Sequence, residues 1–97
     1  MCTDFVRFRV IVTGLVQGVG FRYFVQERAV SLGVTGWVRN LRDGRVEAEI
    51  EGDSDLVNML IDAMREGPTF SHVESVQAFP LSGGRHHSDF RIAPNGQ

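Results

Sequence analysis

Apolar and polar residues alternate with a period of two near the start of the chain. Successive side chains of a strand point to opposite faces, so this alternation predicts a strand with one apolar face. The apolar face carries Val6, Phe8, Val10 and Val12, and the opposite face carries Arg7, Arg9, Ile11 and Thr13. A glycine-rich turn from Gly14 to Gly20 comes next.

The period then changes to that of a helix. Apolar residues recur at near-helical spacing at Phe21, Phe24, Val25, Ala29 and Leu32. Gly33 is suited to end this helix, because glycine readily adopts the left-handed conformation of a C-terminal cap. Residues 34–39, which include Trp37, predict a second strand, and Leu41-Arg42-Asp43-Gly44 predicts a tight turn.

The second half of the chain predicts a third strand and a second helix. Val46, Ala48 and Ile50 alternate with Glu47, Glu49 and Glu51, a pattern typical of a strand with one solvated face. Asp53 or Ser54 is suited to cap the helix, and Gly67-Pro68 to end it. The apolar stripe of this helix is formed by Leu56, Val57, Leu60, Ile61 and Met64.

The last part of the chain predicts a fourth strand from Val73 to Phe79, which Pro80 ends. Residues 82–88 predict a loop, and Phe90 and Ile92 lie on one face of a possible short fifth strand. The order β-α-β-β-α-β favours an α+β, ferredoxin-like sandwich, with two helices on one face of a mainly antiparallel sheet. We expect residues 1–97 to form one domain, and we note that this fold hosts many functions.

Composition narrows the classes of partner. A net charge of −2 and a pI of about 5.8 argue against a nucleic-acid coat or a protein that binds anionic membranes. The apolar runs are too short to cross a bilayer, and residues 1–5 lack the pattern of a signal peptide. A single cysteine cannot form an internal disulfide, so we expect a reduced, cytoplasmic location.

The turn between the first strand and the first helix carries the candidate chemistry. Gly14, Gly18 and Gly20 permit backbone angles at which successive N–H groups form a nest for an anion. The following helix adds unpaired N–H groups and the positive end of its dipole, and Arg22 lies in its first turn. A guanidinium there can bind two phosphate oxygens. A plain tight turn before an amphipathic helix with a solvated arginine explains the same residues, so both interpretations stay open.

Several known phosphate loops do not fit. No Gly-Lys followed by Ser or Thr occurs, which excludes a Walker loop, and G-x-G-x-x-G is not met after Gly18. A cysteine phosphatase loop needs arginine six places after its cysteine, but Phe8 stands six places after Cys2. The chain therefore offers no obvious covalent nucleophile.

Two long motifs resemble those of the acylphosphatase family. The segment Gly14-Leu15-Val16-Gln17-Gly18-Val19-Gly20-Phe21-Arg22 is similar to the family motif G-x-V-Q-G-V-G-F-R. The segment from Gly36 to Glu47, GWVRNLRDGRVE, is similar to G-W-V-x-N-x-x-D-G-x-V-E. The resemblance covers the chain from the first strand to the fourth and is weaker after Pro80.

This resemblance implies a small free-standing acylphosphatase, a hydrolase that releases a carboxylate and inorganic phosphate from an acyl phosphate. The implied phosphate-binding residues are Leu15, Val16, Gln17, Gly18, Val19, Gly20, Phe21 and Arg22. The implied catalytic residues are Arg22 and Asn40, with Asn40 holding the attacking water. Asn is a poor general base, so the substrate phosphate is expected to take the proton. The resemblance implies no cofactor and no covalent intermediate; inorganic phosphate is expected as product or inhibitor.

Other residues offer weaker candidates. Adjacent His86 and His87 would face opposite sides of a strand, and His72 stands alone, so we expect surface histidines and no metal site. Gln17 is expected to contact either substrate or solvent. We expect a monomer with no nucleic-acid or membrane partner. There are two alternatives to a free-standing acylphosphatase. One is a related domain inside a hydrogenase maturation protein, which carries Gly-Phe-Arg-Pro-Phe where this chain has Gly-Phe-Arg-Tyr-Phe. The other is a nucleic-acid-binding domain with a similar sandwich fold.

Overall fold

A computed structural model describes residues 4–96, so Cys2 lies outside the described residues. The elements in chain order are β1 (Phe5–Leu15), α1 (Phe21–Leu32), β2 (Thr35–Asn40), β3 (Val46–Asp53), α2 (Ser54–Glu66), β4 (His72–Leu81) and β5 (Phe90–Ile92). The predicted order β-α-β-β-α-β with a short fifth strand is confirmed.

Within residues 4–96, the five strands form one sheet in the order β4-β1-β3-β2-β5. Strand β1 pairs antiparallel with β3 and with β4, and β2 pairs antiparallel with β3. Only β5, at the edge, runs parallel to its neighbour β2. Because β1 and β2 are both antiparallel to β3, they run in the same direction and their carboxyl ends lie at the same end of the sheet. This arrangement places the β1–α1 turn and Asn40 at one end of the molecule.

Both helices pack on the same face of the sheet. The alternation in β1 and β3 brings Val10, Val12, Ala48 and Ile50 to that face, where they are fully buried. Helix α1 contributes Phe21, Val25 and Ala29, and α2 contributes Val57, Leu60, Ile61 and Met64. Removing this apolar surface from water is the main stabilising contribution to the fold. No helix within residues 4–96 is long and apolar enough to cross a membrane.

Two boundary predictions needed correction. Pro80 does not end β4, which continues to Leu81 with Pro80 opposite Phe8. Strand β4 is an edge strand, and an edge accepts a residue that lacks an N–H group. Strand β2 begins at Thr35, one residue later than predicted. Gly33 is confirmed as the C-cap of α1, with a φ of 76°.

The prediction that the β3 glutamates face water was wrong for two of the three. Glu47 is 4% exposed and Glu51 is fully buried. The alternation did place these glutamates on the sheet face away from the helices, but the loop 82–89 crosses that face and covers part of it. We call this loop the strap. Backbone N–H groups of His86 and His87 in the strap both donate to the Glu51 carboxylate at 2.9 Å.

Candidate active site

The turn between β1 and α1 leaves a run of backbone donors available. Gly18 and Gly20 adopt left-handed φ angles of 73° and 77°, and Gly20 caps α1 without a side-chain hydrogen bond. The N–H groups from Val16 to Tyr23 have no acceptor within residues 4–96; the first paired donor is Phe24, to Gly20 O at 3.0 Å. Such a run at a helix N-terminus can bind an anion.

Buried side chains hold both ends of this turn. Val16 and Phe21 are each 1% exposed and belong to the core beneath the helices. Leu15, at the end of β1, pairs with His72 of β4 and leaves its own side chain exposed. Val19 packs partly against the core. The turn is therefore anchored by apolar contacts while its N–H groups remain available.

Arg22 is a half-buried cation in the first turn of α1. Across residues 4–96, no carboxylate lies within ion-pair distance of its guanidinium and no acceptor takes a hydrogen bond from it. Arg7, Arg9 and Arg39, by contrast, all form ion pairs with glutamates of β3. An uncompensated guanidinium beside the unpaired N–H groups makes this end of the helix attractive to a phosphate.

Asn40 is the last residue of β2 and shares the helix-side face of the sheet with Val38. Its backbone pairs with Val46 of β3, and its carbonyl accepts the Gly96 N–H at 2.8 Å, so both sides of the chain are fixed here. Its side-chain oxygen Oδ1 is buried and has no hydrogen-bond partner within the described part of the chain. A buried acceptor left without a donor costs about 1–3 kcal/mol, so this oxygen is suited to accept a bond from a bound molecule.

Gln17 links the turn to the region of Asn40. Its side-chain Nε2 donates to Leu41 O at 2.7 Å and to Arg45 O at 2.9 Å. Leu41 directly follows Asn40, so the two sequence motifs meet through this amide. The expectation that the Gln17 side chain faces substrate or solvent was wrong for its NH₂ group, which the β2–β3 turn occupies.

A second polar cluster lies on the other face of the sheet, under the strap. Arg7 Nη2 donates to Glu49 Oε1 at 2.7 Å, Arg7 Nε donates to Glu51 Oε1 at 3.2 Å, and His87 Nε2 lies 2.9 Å from Glu49 Oε1. Burial opposes the charge of Glu49 most strongly, but the bonds from His87 and Arg7 outweigh it and lower its pKa. Burial likewise opposes the charge of Glu51, yet the N–H groups of the strap and Arg7 lower its pKa as well.

This cluster also bears on the prediction of surface histidines without a metal site. His86 is exposed as expected, but His87 is half-buried against Glu49. Ligand atoms of Glu49, Glu51 and His87 lie within 4.8 Å of one another, as a metal site would need. The guanidinium of Arg7 and the strap N–H groups already occupy these carboxylates, and a metal ion would have to compete with them. The arrangement fits an internal ion pair better than a metal site.

A groove of about 690 Å³ lies on the strap side of the sheet, away from the glycine-rich turn. Trp37, Arg39, His86 and Arg91 contribute to its walls. Its two arginines are already paired, Arg39 with Glu47 and Arg91 with Asp89. The unpaired donors are at the turn, so the turn and not the groove is the candidate site.

Comparisons with known proteins agree with this geometry. The sequence profile of the Acylphosphatase family matches residues 8–92. An acylphosphatase of Bacillus pumilus (strain SAFR-032) is 46% identical over 87 residues, which cover 90% of this chain and 97% of that protein. The crystal structure of an acylphosphatase from Bacillus subtilis matches with a TM-score of 0.87 and 40% identity, covering 91% of this chain and 98% of that chain. The chain belongs to the acylphosphatase family.

A structure of a full-length HypF protein, bound to phosphate and nucleotide, is also similar. Its TM-score is 0.86 at 27% identity, and the match covers 98% of this chain but 13% of the HypF chain. The fold thus also occurs as a small part of a much larger protein. The higher identity to the Bacillus proteins favours the first of these two groups.

Proposed function

We propose that this member of the family is an acylphosphatase, which hydrolyses an acyl phosphate to a carboxylate and inorganic phosphate. The observation that carries the proposal is a run of N–H groups from Val16 to Tyr23, next to Arg22, that have no partner within residues 4–96. They lie at the same end of the sheet as the buried Oδ1 of Asn40. One end of the site is built for an anion and the other for a neutral hydrogen-bond donor.

The proposed phosphoryl site comprises the backbone from Leu15 to Phe21 and the Arg22 side chain. Fixed N–H donors and a guanidinium stabilise the charge that spreads over the phosphoryl oxygens during transfer. They are in place before the substrate arrives, so little reorganisation is needed when the charge shifts. Each hydrogen bond to a charged oxygen contributes about 1.5–3 kcal/mol.

Asn40 is proposed to orient the attacking water. Oδ1 accepts one O–H of the water, which turns a lone pair of its oxygen towards phosphorus. The new bond forms between water oxygen and phosphorus, and the bond from phosphorus to the carboxylate oxygen breaks with its electron pair. The water proton passes to a phosphate oxygen, so no side chain needs to act as a base. The carboxylate is a good leaving group, and positioning with electrostatic stabilisation lowers the barrier that remains.

The proposal includes neither a metal nor a covalent intermediate, since Arg22 and the N–H groups supply the positive charge. We also propose that residues 1–97 act as one domain and as a cytoplasmic monomer; the presence of one cysteine in the chain supports a reduced compartment. The acyl phosphate and the phosphate product are the only partners that this function requires. Neither a nucleic acid nor a membrane has a role in it.

The test is hydrolysis of benzoyl phosphate with and without a chelator. We expect turnover that chelation leaves unchanged and that inorganic phosphate inhibits competitively. A folded protein that does not hydrolyse benzoyl phosphate would contradict the activity. Loss of turnover on chelation would contradict the metal-free mechanism.

A further inference from the structure

We propose that Gln17 is a positioning residue: its side-chain amide fixes the phosphate-binding turn relative to Asn40, so that bound phosphoryl group and oriented water meet in line. This inference rests on the proposed function. It assigns to Gln17 a role separate from binding the substrate with its side chain.

The bonds made by Gln17 determine the orientation of its amide. Both acceptors, Leu41 O and Arg45 O, are backbone carbonyls that cannot donate, so the NH₂ group must face them. The distances of 2.7 Å and 2.9 Å use both N–H bonds of Nε2. One side chain thus connects two points that lie 24 and 28 residues further along the chain.

The receiving end of this link is rigid. Leu41 N–H donates to Arg45 O at 2.8 Å, and Gly44 N–H donates to Leu41 O at 3.3 Å, so the β2–β3 turn is already closed by its own bonds. The Leu41 side chain is 5% exposed and anchors the turn. Asn40 is one peptide away from the carbonyl that Gln17 binds, so a shift of the turn moves Asn40 with it.

The other end of the link needs this support. Gly18 and Gly20 have no side chains with which to hold the middle of the loop, and Val19 between them packs only partly against the core. The buried anchors, Val16 and Phe21, are at its ends. The Gln17 side chain ties this loop to the β2–β3 turn, which directly follows Asn40. A misplacement of about 1 Å between reacting groups can lower the rate by about 100-fold, so such a tie affects turnover more than binding.

The test replaces Gln17 by Met, which has a similar length but no donor. We expect kcat for benzoyl phosphate to fall about 10- to 100-fold, while the inhibition constant of inorganic phosphate changes less than about threefold. Gln26→Met is the matched control, because Gln26 Nε2 also donates to a backbone carbonyl, Phe90 O at 3.1 Å, away from the turn. This control is expected to keep kcat within about twofold.

A double-mutant cycle separates positioning from a general structural role. In an Asn40→Ala background, Gln17→Met should lower kcat by less than about threefold, because the group that it aligns has been removed. Equal losses in both backgrounds would overturn the inference, as would a loss of phosphate affinity as large as the loss in kcat. If Gln17→Met does not fold, Gln17→Asn, whose amide is too short to reach both carbonyls, should show the same split between kcat and phosphate affinity.

The outcomes also distinguish this inference from the proposed function. An inactive but folded wild-type protein contradicts the function itself. An active wild type whose Gln17→Met variant keeps full kcat contradicts only the positioning role.

Discussion

Removing the Glu51 carboxylate is expected to cost a large part of the stability of the fold. Glu51 is fully buried and accepts hydrogen bonds from the Arg7 side chain and from the backbones of His86 and His87. Glu51→Ala leaves the guanidinium of Arg7, which is 8% exposed, without one of its two glutamates. Breaking a buried ion pair costs about 3–5 kcal/mol, and two unpaired strap N–H groups add to it, so we expect about 4–6 kcal/mol.

This loss approaches the total of about 5–15 kcal/mol that stabilises a domain of this size. We expect the thermal midpoint to fall by about 20 °C or more, and the urea midpoint to fall with it. Urea unfolding followed by circular dichroism measures the change, with Glu74→Ala on exposed β4 as the matched control, expected within about 0.5 kcal/mol of wild type. A Glu51→Ala protein within about 1 kcal/mol of wild type, the cost of an average point substitution, would refute a stabilising role for the buried carboxylate.

Three further predictions concern the site, the acid limit of stability and the sheet. Arg22→Gln should lower kcat/KM for benzoyl phosphate by about 10²- to 10⁴-fold, because two charge-assisted bonds of about 1.5–3 kcal/mol each are lost. Arg28→Gln on the same helix should leave kcat/KM unchanged, and equal effects of the two substitutions would contradict the role of Arg22. Hydrogen bonds from the strap and from Arg7 lower the folded-state pKa of Glu49 and Glu51 below the ordinary value of 4.5. The stability that these carboxylates contribute is therefore present above their unfolded-state pKa and is lost as the pH falls through their folded-state pKa. Urea midpoints should therefore drop below pH 4.5 more steeply in wild type than in Glu49→Gln, and parallel curves would contradict this coupling. Gly36→Ala should destabilise the fold by about 3 kcal/mol, because the φ of Gly36 is 142° and a Cβ there would overlap the Glu49 carbonyl. A Cβ at Gly84 would meet open space, so Gly84→Ala is the control. Equal urea midpoints for the two variants would exclude the clash.

Periodicity predicted most of the fold because the core is built from regular patterns. The alternation in β1 and the helical spacing from Phe21 to Leu32 each correspond to one buried face of an observed element. Pro80 was misjudged because a sequence does not show which strand lies at a sheet edge, and only there is a missing N–H tolerated. The prediction for Glu47 and Glu51 failed for a related reason, since their partners are distant in sequence. Glu51 binds the strap, which comes more than thirty residues later in the chain, and Glu47 binds Arg9 and Arg39 of the two neighbouring strands.

The same difference between local and long-range information applies to the residues of the candidate site. The glycines and Arg22 indicated an anion site, because the backbone conformation and the charge of a short segment can be inferred from its own residues. The buried oxygen of Asn40 and the bonds from Gln17 to Leu41 and Arg45 depend on long-range packing, which no local pattern reveals. The amide of Gln17 could have been assigned only from the pairing of two distant motifs.

The most direct test of the proposed mechanism is the kcat of Asn40→Ala with benzoyl phosphate, measured beside the inhibition constant of inorganic phosphate. If Asn40 orients the water while Arg22 and the turn bind phosphate, kcat should fall about 10²- to 10³-fold and the inhibition constant should change less than about threefold. Full turnover by a folded Asn40→Ala protein would contradict the water-orienting role and, with it, the proposed mechanism of hydrolysis.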